Sequence, residues 1–373
     1  SHAWSAFSCS PFNESLVFTM DARGDLKSSS VSKANKKTGI KEISNNLSFD
    51  SLGFLYGQIT HYLGFIPHRH EGKVTGLAAY GNPNKTKYIF NKLIKWDGKK
   101  IISNLGYYRP FFTNLSLELV KDLKKHSRED IAAGVQRHCE KIIVQYVKFW
   151  IKQISKNKKV NICLAGGIFA NVKINQKICE IKNVKNLYVF PHMGDGGLTV
   201  GAACQLNYKI NRDSKVNLKN VNYGPEFSSK EIYKSLKLFN KKISFYKSKN
   251  LKEDIFKFLT NNKVVGFFNG RMEFGPRALG SRSILFHTKD RSANKWLNDR
   301  LKRTEFMPFA PVTIEKLASS CFKNWKKTDY CSKFMTKTFD CTDDFIEKNP
   351  AVVHVDGTAR PQVVNKEFNK KYY

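Results

Sequence analysis

The chain has 373 residues, of which 41% are hydrophobic and 13% are aromatic. This apolar content supplies real cores and excludes a disordered, collagen-like or coiled-coil protein. The charge is strongly one-sided, with 64 Lys and Arg against 31 Asp and Glu and a formal net charge of +33. Such an excess attracts nucleic acids, anionic lipids and small anions such as nucleotides, and it does not choose among them.

The eight cysteines are scattered along the chain, and none forms a C-x-x-C pair. At this length and spacing we expect reduced thiols in a cytoplasmic protein and no disulfide scaffold. The longest apolar runs, such as residues 264–268, are far shorter than a bilayer span. The composition therefore predicts a globular protein without a membrane segment.

The first part of the chain predicts a hairpin followed by helices. Residues 15–21 predict a buried strand that ends on an acid, and the Gly-Asp turn after them predicts a polar second strand. Residues 28–46 are rich in Ser, Lys and Asn and are interpreted as a solvated hairpin arm or loop. Helical spacing is found over 51–65, and the longest amphipathic helix is predicted over 128–155.

Two glycine-rich turns follow short apolar strands in the middle of the chain. A buried strand is predicted over 160–165, and a glycine pair after it opens a helix. A second strand over 187–190 leads into the glycine-rich segment 194–197 and a small-residue helix over 198–206. This alternation of helix, strand, glycine turn and helix is typical of an α/β fold.

A polar connection at 207–222 is predicted to be a linker, and further elements follow it. They are helices over 228–240, 251–262 and 290–302, and strands over 263–269 and 352–355.

The glycine turns are candidate ligand sites. Gly166 and Gly167 lie between a strand and a helix, where backbone N–H groups can approach a phosphate, although such turns are also common without a ligand. Asp195 lies at the carboxyl end of a strand, where open α/β sheets bind ligands. Its alternative role is an Asx turn that bonds its own backbone.

The histidines give weaker signals. His2 is either a metal ligand or a structural residue, and spacing alone favours the structural role. Residues 68–71 hold two His and a Glu, but without an H-E-x-x-H helix a surface loop is the preferred interpretation. Residues 72–75 resemble the end of a phosphate-binding P-loop, yet Pro67 occupies the position of its first glycine, so this is not a Walker A motif.

The strongest local signal is the loop 270–283, which contains Arg271, Arg277 and Arg282 together with three glycines and a proline. Guanidinium groups on such a loop suit the capture of phosphate, carbamate or carboxylate groups. A basic surface loop is the alternative. The site interpretation is preferred because surface charge elsewhere in this chain is mostly Lys.

Several motifs follow one another along nearly the whole chain. They are residues 1–7, 71–81, 164–171, 191–198, 270–284, 307–311 and 358–360. In this order they resemble the NodU/CmcH-type O-carbamoyltransferases. The string GRMEFGPRALGSRSI is highly specific for that family, whereas each glycine turn alone is not.

The resemblance implies an α/β protein with two domains. Residues 1–215 would form a Kae1-like lobe of the actin/hexokinase ATPase superfamily, 216–222 a linker, and 223–373 a YrdC/Sua5-like α/β domain. Earlier histidines of the family's metal motif would precede the first residue, and a closing Asn-Thr-Ser-Phe-Asn type motif would follow the last. Met307 stands where many members carry Arg.

The activity implied by the resemblance is ATP-dependent O-carbamoyl transfer. The second domain would form carbamoyl adenylate from carbamoyl phosphate and ATP, and the first would pass the carbamoyl group to a hydroxyl of a sugar or other small metabolite. ATP and a divalent metal, usually iron, would be the cofactors, with Mg²⁺ accompanying the nucleotide. A homodimer is expected, and neither membrane nor nucleic acid is expected as a partner.

The same resemblance assigns roles residue by residue. It assigns His2 and Asp195 to the metal, Lys73, Arg271 and Arg277 to catalysis, and Gly166, Gly167, Asn171, Arg282, Ser283 and Arg360 to the substrate and nucleotide.

The competing hypothesis is a nucleic-acid-binding protein related to tRNA modification, because Kae1 and YrdC relatives act on tRNA and the net charge suits a polyanion. Against it, the positive charge is spread over the sequence and is not gathered into an aromatic-interleaved patch. A degenerate, inactive scaffold is a third alternative.

Overall fold

The strands form a five-stranded sheet and several two-stranded ribbons. The computed structural model describes residues 1–112, 114–156, 158–216, 218, 220–300 and 306–373. Its strands are β1 (Glu14–Gly24), β2 (Lys27–Asn35), β3 (Gly39–Leu47), β4 (Ile94–Trp96), β5 (Ile101–Ser103), β6 (Val160–Ala165), β7 (Val184–Val189), β8 (Val265–Phe268), β9 (Arg282–Leu285), β10 (Val312–Ile314), β11 (Phe339–Asp340), β12 (Thr358–Ala359) and β13 (Gln362–Val364).

β1 lies at the centre of the five-stranded sheet, whose order is β3-β2-β1-β6-β7. The pairs β1–β2 and β2–β3 are antiparallel, whereas β1–β6 and β6–β7 are parallel. In the register of β1 with β6, Thr19 lies opposite Ala165, so the chain leaving β6 passes beside Met20 and Asp21. This mixed sheet confirms the α/β class.

The interpretation of residues 28–46 as a solvated hairpin arm or loop is correct about the hairpin, since β1 and β2 pair across the Gly-Asp turn, but it is wrong about the solvation of β2. They form most of β2 and β3, and the side chains of β2 are largely buried. The small hydroxyls tolerate burial because they are hydrogen-bonded: the Ser30 and Thr19 hydroxyls lie 2.6 Å apart, and Asn46 Nδ2 donates to Ser29 Oγ over 2.7 Å. The polar composition therefore indicated the second strand but neither its burial nor the third strand, β3.

Helices cover both faces of this sheet. The α-helices are α1 (His2–Cys9), α2 (Leu52–Tyr62), α3 (Glu71–Leu77), α4 (Lys87–Leu93), α5 (Leu117–Leu123), α6 (Arg128–Ser155), α7 (Val172–Cys179), α8 (Leu198–Asn211), α9 (Ser229–Leu238), α10 (Leu251–Thr260), α11 (Ala293–Arg300), α12 (Ala318–Cys321) and α13 (Asp343–Lys348). Three 3₁₀ turns also matter for the site: Gly167–Ala170, Asp195–Gly197 and Pro350–Val352.

α6 confirms the long helix predicted over 128–155. Its N-terminus is capped by the Ser127 hydroxyl, which accepts the Asp130 N–H over 3.2 Å, and it ends at Lys156 in the left-handed region with φ of 49°. Its apolar face joins the core on one side of the sheet, where Tyr146 packs edge-on against Phe18 at 5.9 Å.

The two faces of the sheet bury alternate residues of each strand. Phe18 and Leu164 lie in the core with α6, whereas Val17 and Cys163 lie in a second core with α1 and α8. α1 and α8 approach so closely that a Cβ at Gly201 would collide with the backbone carbonyl of the first residue. This close packing fixes the start of α1 against α8.

Other predicted elements are confirmed with small changes of boundary. α9, α10 and β8 lie on the segments predicted over 228–240, 251–262 and 263–269. The predicted linker at 207–222 starts later, because α8 continues to Asn211. The helix predicted over 290–302 is α11, and its last two predicted residues lie outside the described part of the chain.

The strand predicted over 352–355 is wrong. Pro350 stands at the first position of a 3₁₀ turn, where its fixed φ favours helical geometry. Val352 and Val353 are buried in a small core with Phe345. A short apolar run does not by itself distinguish a strand from a buried turn.

Residues after 306 pack onto the first half of the chain. Asn175 Nδ2 of α7 donates to the Thr336 carbonyl over 2.7 Å, and the Thr338 hydroxyl donates to Gln176 Oε1 over 2.7 Å. Cys331 belongs to the core of the large sheet. The domain limits 1–215, 216–222 and 223–373 stay a prediction.

All eight cysteines are free thiols, and six of them are buried, which confirms that no disulfide scaffold exists among them. In the part of the chain that the structure describes, no helix combines the length and the hydropathy that crossing a bilayer requires.

Gly134, inside α6, is expected to be intolerant of a side chain. A Cβ there would collide with Thr86 Oγ1 and would lie 2.6 Å from the Phe90 ring. Although alanine is a better helix former than glycine, we expect Gly134→Ala to lower the free energy of unfolding by about 2 kcal/mol. Urea denaturation measures this change.

Gly72 of α3 is the matched control, because nothing lies within 4 Å of a Cβ built there. Gly72→Ala should raise the free energy of unfolding by about 0.5 kcal/mol. Equal effects of the two substitutions would contradict the close packing of α6 on α4.

Candidate active site

Three ligand-type side chains meet at the carboxyl end of the parallel strands. His2 Nε2 lies 3.1 Å from Asp21 Oδ2 and 3.7 Å from Asp195 Oδ1. Ligand atoms of all three residues lie within 4.8 Å of one another, and no other group of three His, Cys, Asp or Glu does so among the described residues. The structure thus joins the two predicted ligands. It adds Asp21, which the sequence marked only as the acid that ends a strand.

Asp21 is held in place by backbone amides. Its Oδ1 accepts the Ala22 N–H over 2.7 Å, and its Oδ2 accepts the Gly167 N–H over 3.1 Å. Burial alone would raise the pKa of Asp21, but the hydrogen bonds from His2 and the two amides keep that pKa below its ordinary value. The carboxylate is therefore ionised and oriented toward the imidazole.

The glycine pair after β6 lets the turn lie directly against β1. Gly166 has φ of +109°, and a Cβ there would collide with the backbone of Met20. Its N–H donates to the Met193 carbonyl over 2.6 Å, and the N–H of Gly167 is committed to Asp21. These two amides therefore tie the turn to the segment after β7 and to Asp21 of β1, and a phosphate-binding role of the turn stays a prediction.

The donor set suits a divalent cation. One imidazole nitrogen and two carboxylate oxygens are ligands that iron, manganese and zinc accept. His2 Nδ1 is buried without a hydrogen-bond partner, while the Asp195 side chain is 83% exposed, which leaves the site open to solvent. The residues present thus fit the metal that the family resemblance implies.

Asn171 links the glycine turn to α3 and α6. Its Oδ1 caps α7 by accepting the Lys173 and Ile174 N–H groups, each over 3.2 Å. Its Nδ2 donates to Gln136 Oε1 over 2.7 Å and to Thr75 Oγ1 over 3.2 Å. Asn171 is thereby fixed as a helix cap, and its role toward a nucleotide stays a prediction.

Lys73 is buried on α3, with only 8% of its surface exposed. The same helix packs against the 306–307 segment, since a Cβ at Gly76 would lie 2.7 Å from Met307 Cγ. The nearby segment 68–71 forms a local turn: Glu71 Oε1 accepts the His68 N–H, and His70 Nδ1 accepts the Ile66 N–H. This agrees with its interpretation as a surface loop.

A salt bridge connects α7 to the turn before Arg360. Lys173 Nζ lies 2.8 Å from Asp356 Oδ2, and His354 Nδ1 lies 3.5 Å from Asp356 Oδ1. Thr358 donates to the same Oδ1 through its N–H and its hydroxyl. Burial opposes ionisation of Asp356, but His354, Lys173 and Thr358 together hold its pKa well below the ordinary range.

A cavity of about 150 Å³ lies between this salt bridge and helices α3 and α6. It is smaller than the sites that hold drug-sized ligands, so it suits only a small group. Its lining comprises Thr75, Ala78, Ala79, Ala133, Gln136, Arg137, Glu140, Lys173, Met307, His354, Asp356 and Thr358.

The arginine loop, residues 270–283, contacts both glycine turns. Arg277 Nη2 donates to the Ala170 carbonyl over 3.4 Å, next to Asn171. The Phe274 ring packs on His192 at 4.9 Å, and a Cβ at Gly275 would lie 3.2 Å from the Pro191 carbonyl. The loop therefore lies against the segments that present Asn171 and Asp195.

The other predicted arginines differ in their surroundings. Arg282 donates to the carbonyls of Asn269, Gly270, Ser281 and Pro225, and its guanidinium lies 3.5 Å from the centre of the Phe268 ring. Arg282 thus holds the loop together.

Arg271 is exposed and donates to the Gly224 carbonyl over 3.2 Å. Arg360 is half-buried after β12, and the Ser283 hydroxyl accepts the Gly280 N–H over 2.9 Å. None of these arginines lines the cavity of about 150 Å³. Their joint action on one anion stays a prediction.

Glu273 is a buried acid of this basic loop that the sequence analysis missed. Its exposure is 8%, and its carboxylate accepts three backbone N–H groups, those of Leu279, Ser281 and Arg282. The sequence does contain one indication of this role, because Glu273 is the acidic residue of a loop that otherwise carries arginines.

The Lys173–Asp356 pair should make stability depend on acid pH. Because the folded pKa of Asp356 lies below its ordinary value of about 4, the pair stabilises the fold fully above that value and loses its effect as the pH falls further. We expect Asp356→Asn to lower the free energy of unfolding by about 2 kcal/mol at pH 7 and by about 1 kcal/mol less at pH 3, because pH 3 lies about one unit below the ordinary pKa of the unfolded carboxyl group. Urea denaturation at both pH values measures this.

The exposed pair Asp344–Lys348 of α13 supplies the control. Asp344→Asn should change stability little at either pH. A loss for Asp356→Asn that is the same at pH 7 and pH 3 would refute the assignment.

Comparison with known proteins places this chain in a family. Residues 1–204 match the family model described as carbamoyltransferase N-terminus, and residues 256–373 match the one described as carbamoyltransferase C-terminus.

Similar proteins match the whole chain. Two uncharacterized proteins of Methanocaldococcus jannaschii are 33% and 35% identical over 100% of this chain. The nodulation protein NolNO of Sinorhizobium fredii is 30% identical over the same extent. The chain spans 63%, 71% and 55% of the lengths of these three proteins, respectively. On the two family matches together, the chain belongs to the carbamoyltransferase family.

Proposed function

We propose that this protein is an ATP-dependent O-carbamoyltransferase. It would form carbamoyl adenylate from carbamoyl phosphate, ATP and water, with phosphate and pyrophosphate as the leaving groups. It would then transfer the carbamoyl group to a hydroxyl of a sugar or other small metabolite, which releases AMP. The observation that carries the proposal is the contact of Arg277 with Ala170, since it joins the arginine loop to the turn that holds Asp21 and Asn171. Family membership supports carbamoyl transfer as the reaction class.

The finer fold assignment is part of the same proposal. A Kae1-like lobe of the actin/hexokinase superfamily would contain the large sheet, and a YrdC/Sua5-like domain would contain the arginine loop. The separate family matches over 1–204 and 256–373 support two functional halves, and the parallel strands with glycine turns support a nucleotide-binding lobe.

In this mechanism the arginine loop would bind the phosphate of carbamoyl phosphate. Guanidinium groups neutralise the charge that develops on a transferring acyl phosphate, and we assign this task to Arg271 and Arg277. Lys73, Gly166, Gly167 and Asn171 would contact the adenylate in the first half, and Arg282, Ser283 and Arg360 the nucleotide in the second.

His2, Asp21 and Asp195 would hold the divalent metal at the acceptor side. A metal bound there would supply Lewis acidity that polarises the carbamoyl carbonyl. Because His2 and Asp21 are hydrogen-bonded to each other and Asp195 is exposed, an acceptor hydroxyl would reach the cluster from the Asp195 side.

Arg277→Ala tests the activating step. Mixing the protein with carbamoyl phosphate and ATP should release pyrophosphate, together with phosphate, as carbamoyl adenylate forms, and AMP as water or an added acceptor takes the carbamoyl group. The substitution should lower kcat/KM by about 100-fold, because an electrostatic donor to the reacting phosphate is lost. Arg291, an exposed arginine of the same half, is the charge-matched control, and Arg291→Ala should be close to wild type. Release of neither product, or equal rates for both variants, would contradict the proposal.

Metal binding is testable without turnover. Mn²⁺ should raise the Tm of the metal-free protein, since a ligand at 100 times its Kd stabilises the folded state by about 2.7 kcal/mol. His2→Ala and Asp195→Asn should abolish the shift, because each removes one ligand from the cluster. His61→Ala, at an exposed histidine of α2, should keep it. The same shift in all variants would refute the site.

A further inference from the structure

A buried acid, Glu273, closes the loop that carries the arginines. Glu273 Oε1 accepts the N–H of Leu279 over 2.7 Å and that of Ser281 over 2.6 Å. The Arg282 N–H lies 3.1 Å from both carboxylate oxygens. The ring so formed contains Arg277.

A buried carboxylate is costly unless charge-assisted hydrogen bonds replace its hydration. The structure pairs the Glu273 carboxylate with main-chain amides. Its negative charge therefore stabilises the conformation of the loop. Burial and, secondarily, this negative charge raise the pKa of the neighbouring Tyr372 to about 12.

Two glycines and the side chain of Asn222 also fix the conformation of the loop. Gly275 and Gly280 take φ values of +111° and +97°, which bend the chain on either side of Arg277. A Cβ at Gly280 would collide with the Tyr372 ring. Asn222 Nδ2 donates to the Arg271 carbonyl over 3.1 Å and to the hydroxyl of Ser281 over 2.6 Å.

We propose that Glu273 is the positioning residue of the arginine loop: by holding the amides of Leu279, Ser281 and Arg282 it directs Arg277 toward Ala170 and thereby sets the affinity for the phosphate group of carbamoyl phosphate. This inference rests on the proposed function. Glu273 touches no substrate in this scheme and acts only through the geometry of the loop.

Glu273→Gln is the test, because it keeps the size of the side chain, removes the charge that strengthens the bonds to all three amides and replaces the second oxygen by an NH₂ that faces the Arg282 N–H. Hydrogen exchange of the amides of Leu279, Ser281 and Arg282 should accelerate at least about tenfold. The KM for carbamoyl phosphate should rise about tenfold, with a smaller change in kcat.

Asp130→Asn is the matched control. Asp130 is also a buried carboxylate that accepts a backbone N–H, that of Asn82, but it lies at the start of α6. This variant should lose stability and keep the wild-type KM. If E273Q does not fold, E273D, which retains the charge on a shorter side chain, is measured in its place.

Each outcome decides the inference. Faster exchange of the three amides with a raised KM supports it. Unchanged exchange overturns it, and so does faster exchange with an unchanged KM. If the wild type shows no turnover, the proposed function fails. Calorimetry with carbamoyl phosphate alone then replaces KM: weaker binding to E273Q than to wild type supports the inference, whereas equal or undetectable binding to both overturns it.

Discussion

The site depends on the parallel pairing of β1 with β6. This register places Gly167 beside Asp21, and one N–H···O bond of 3.1 Å then fixes the carboxylate that faces His2. Only glycine permits the approach, because a side chain at Gly166 would collide with the neighbouring strand. The turn after β6 therefore positions three features of the site: the cluster of His2, Asp21 and Asp195, the Asn171 cap of α7, and the contact of Ala170 with the arginine loop.

The sequence predicted the elements whose burial is periodic. α6 was correctly bounded because its apolar residues recur at helical spacing and Ser127 caps it. The burial of β2 and the presence of β3 were missed because small hydroxyl side chains carry no periodic apolar signal, although they form hydrogen bonds with one another inside the sheet. The valines around 352 were assigned to a strand because the sequence does not show what they pack against.

The same limit applies to the site. The glycine turns and the arginine loop were recognisable because their backbone and charge demands are local. Asp21 and His2 are 19 residues apart, and only the sheet reveals that they meet. Glu273 was overlooked since its partners are main-chain amides, which every sequence contains. Local motifs could therefore be predicted from the sequence. Contacts between residues distant in the chain, and hydrogen bonds from side chains to main-chain amides, required the structure.

The close contact at Gly201 has a consequence for the cluster of His2, Asp21 and Asp195. His2 lies on the first turn of α1, and that turn is packed against α8, which begins just after Asp195. The separation of the imidazole from the Asp195 carboxylate therefore follows from the spacing of two helices. That spacing is set at a glycine that contributes no side chain to the cluster.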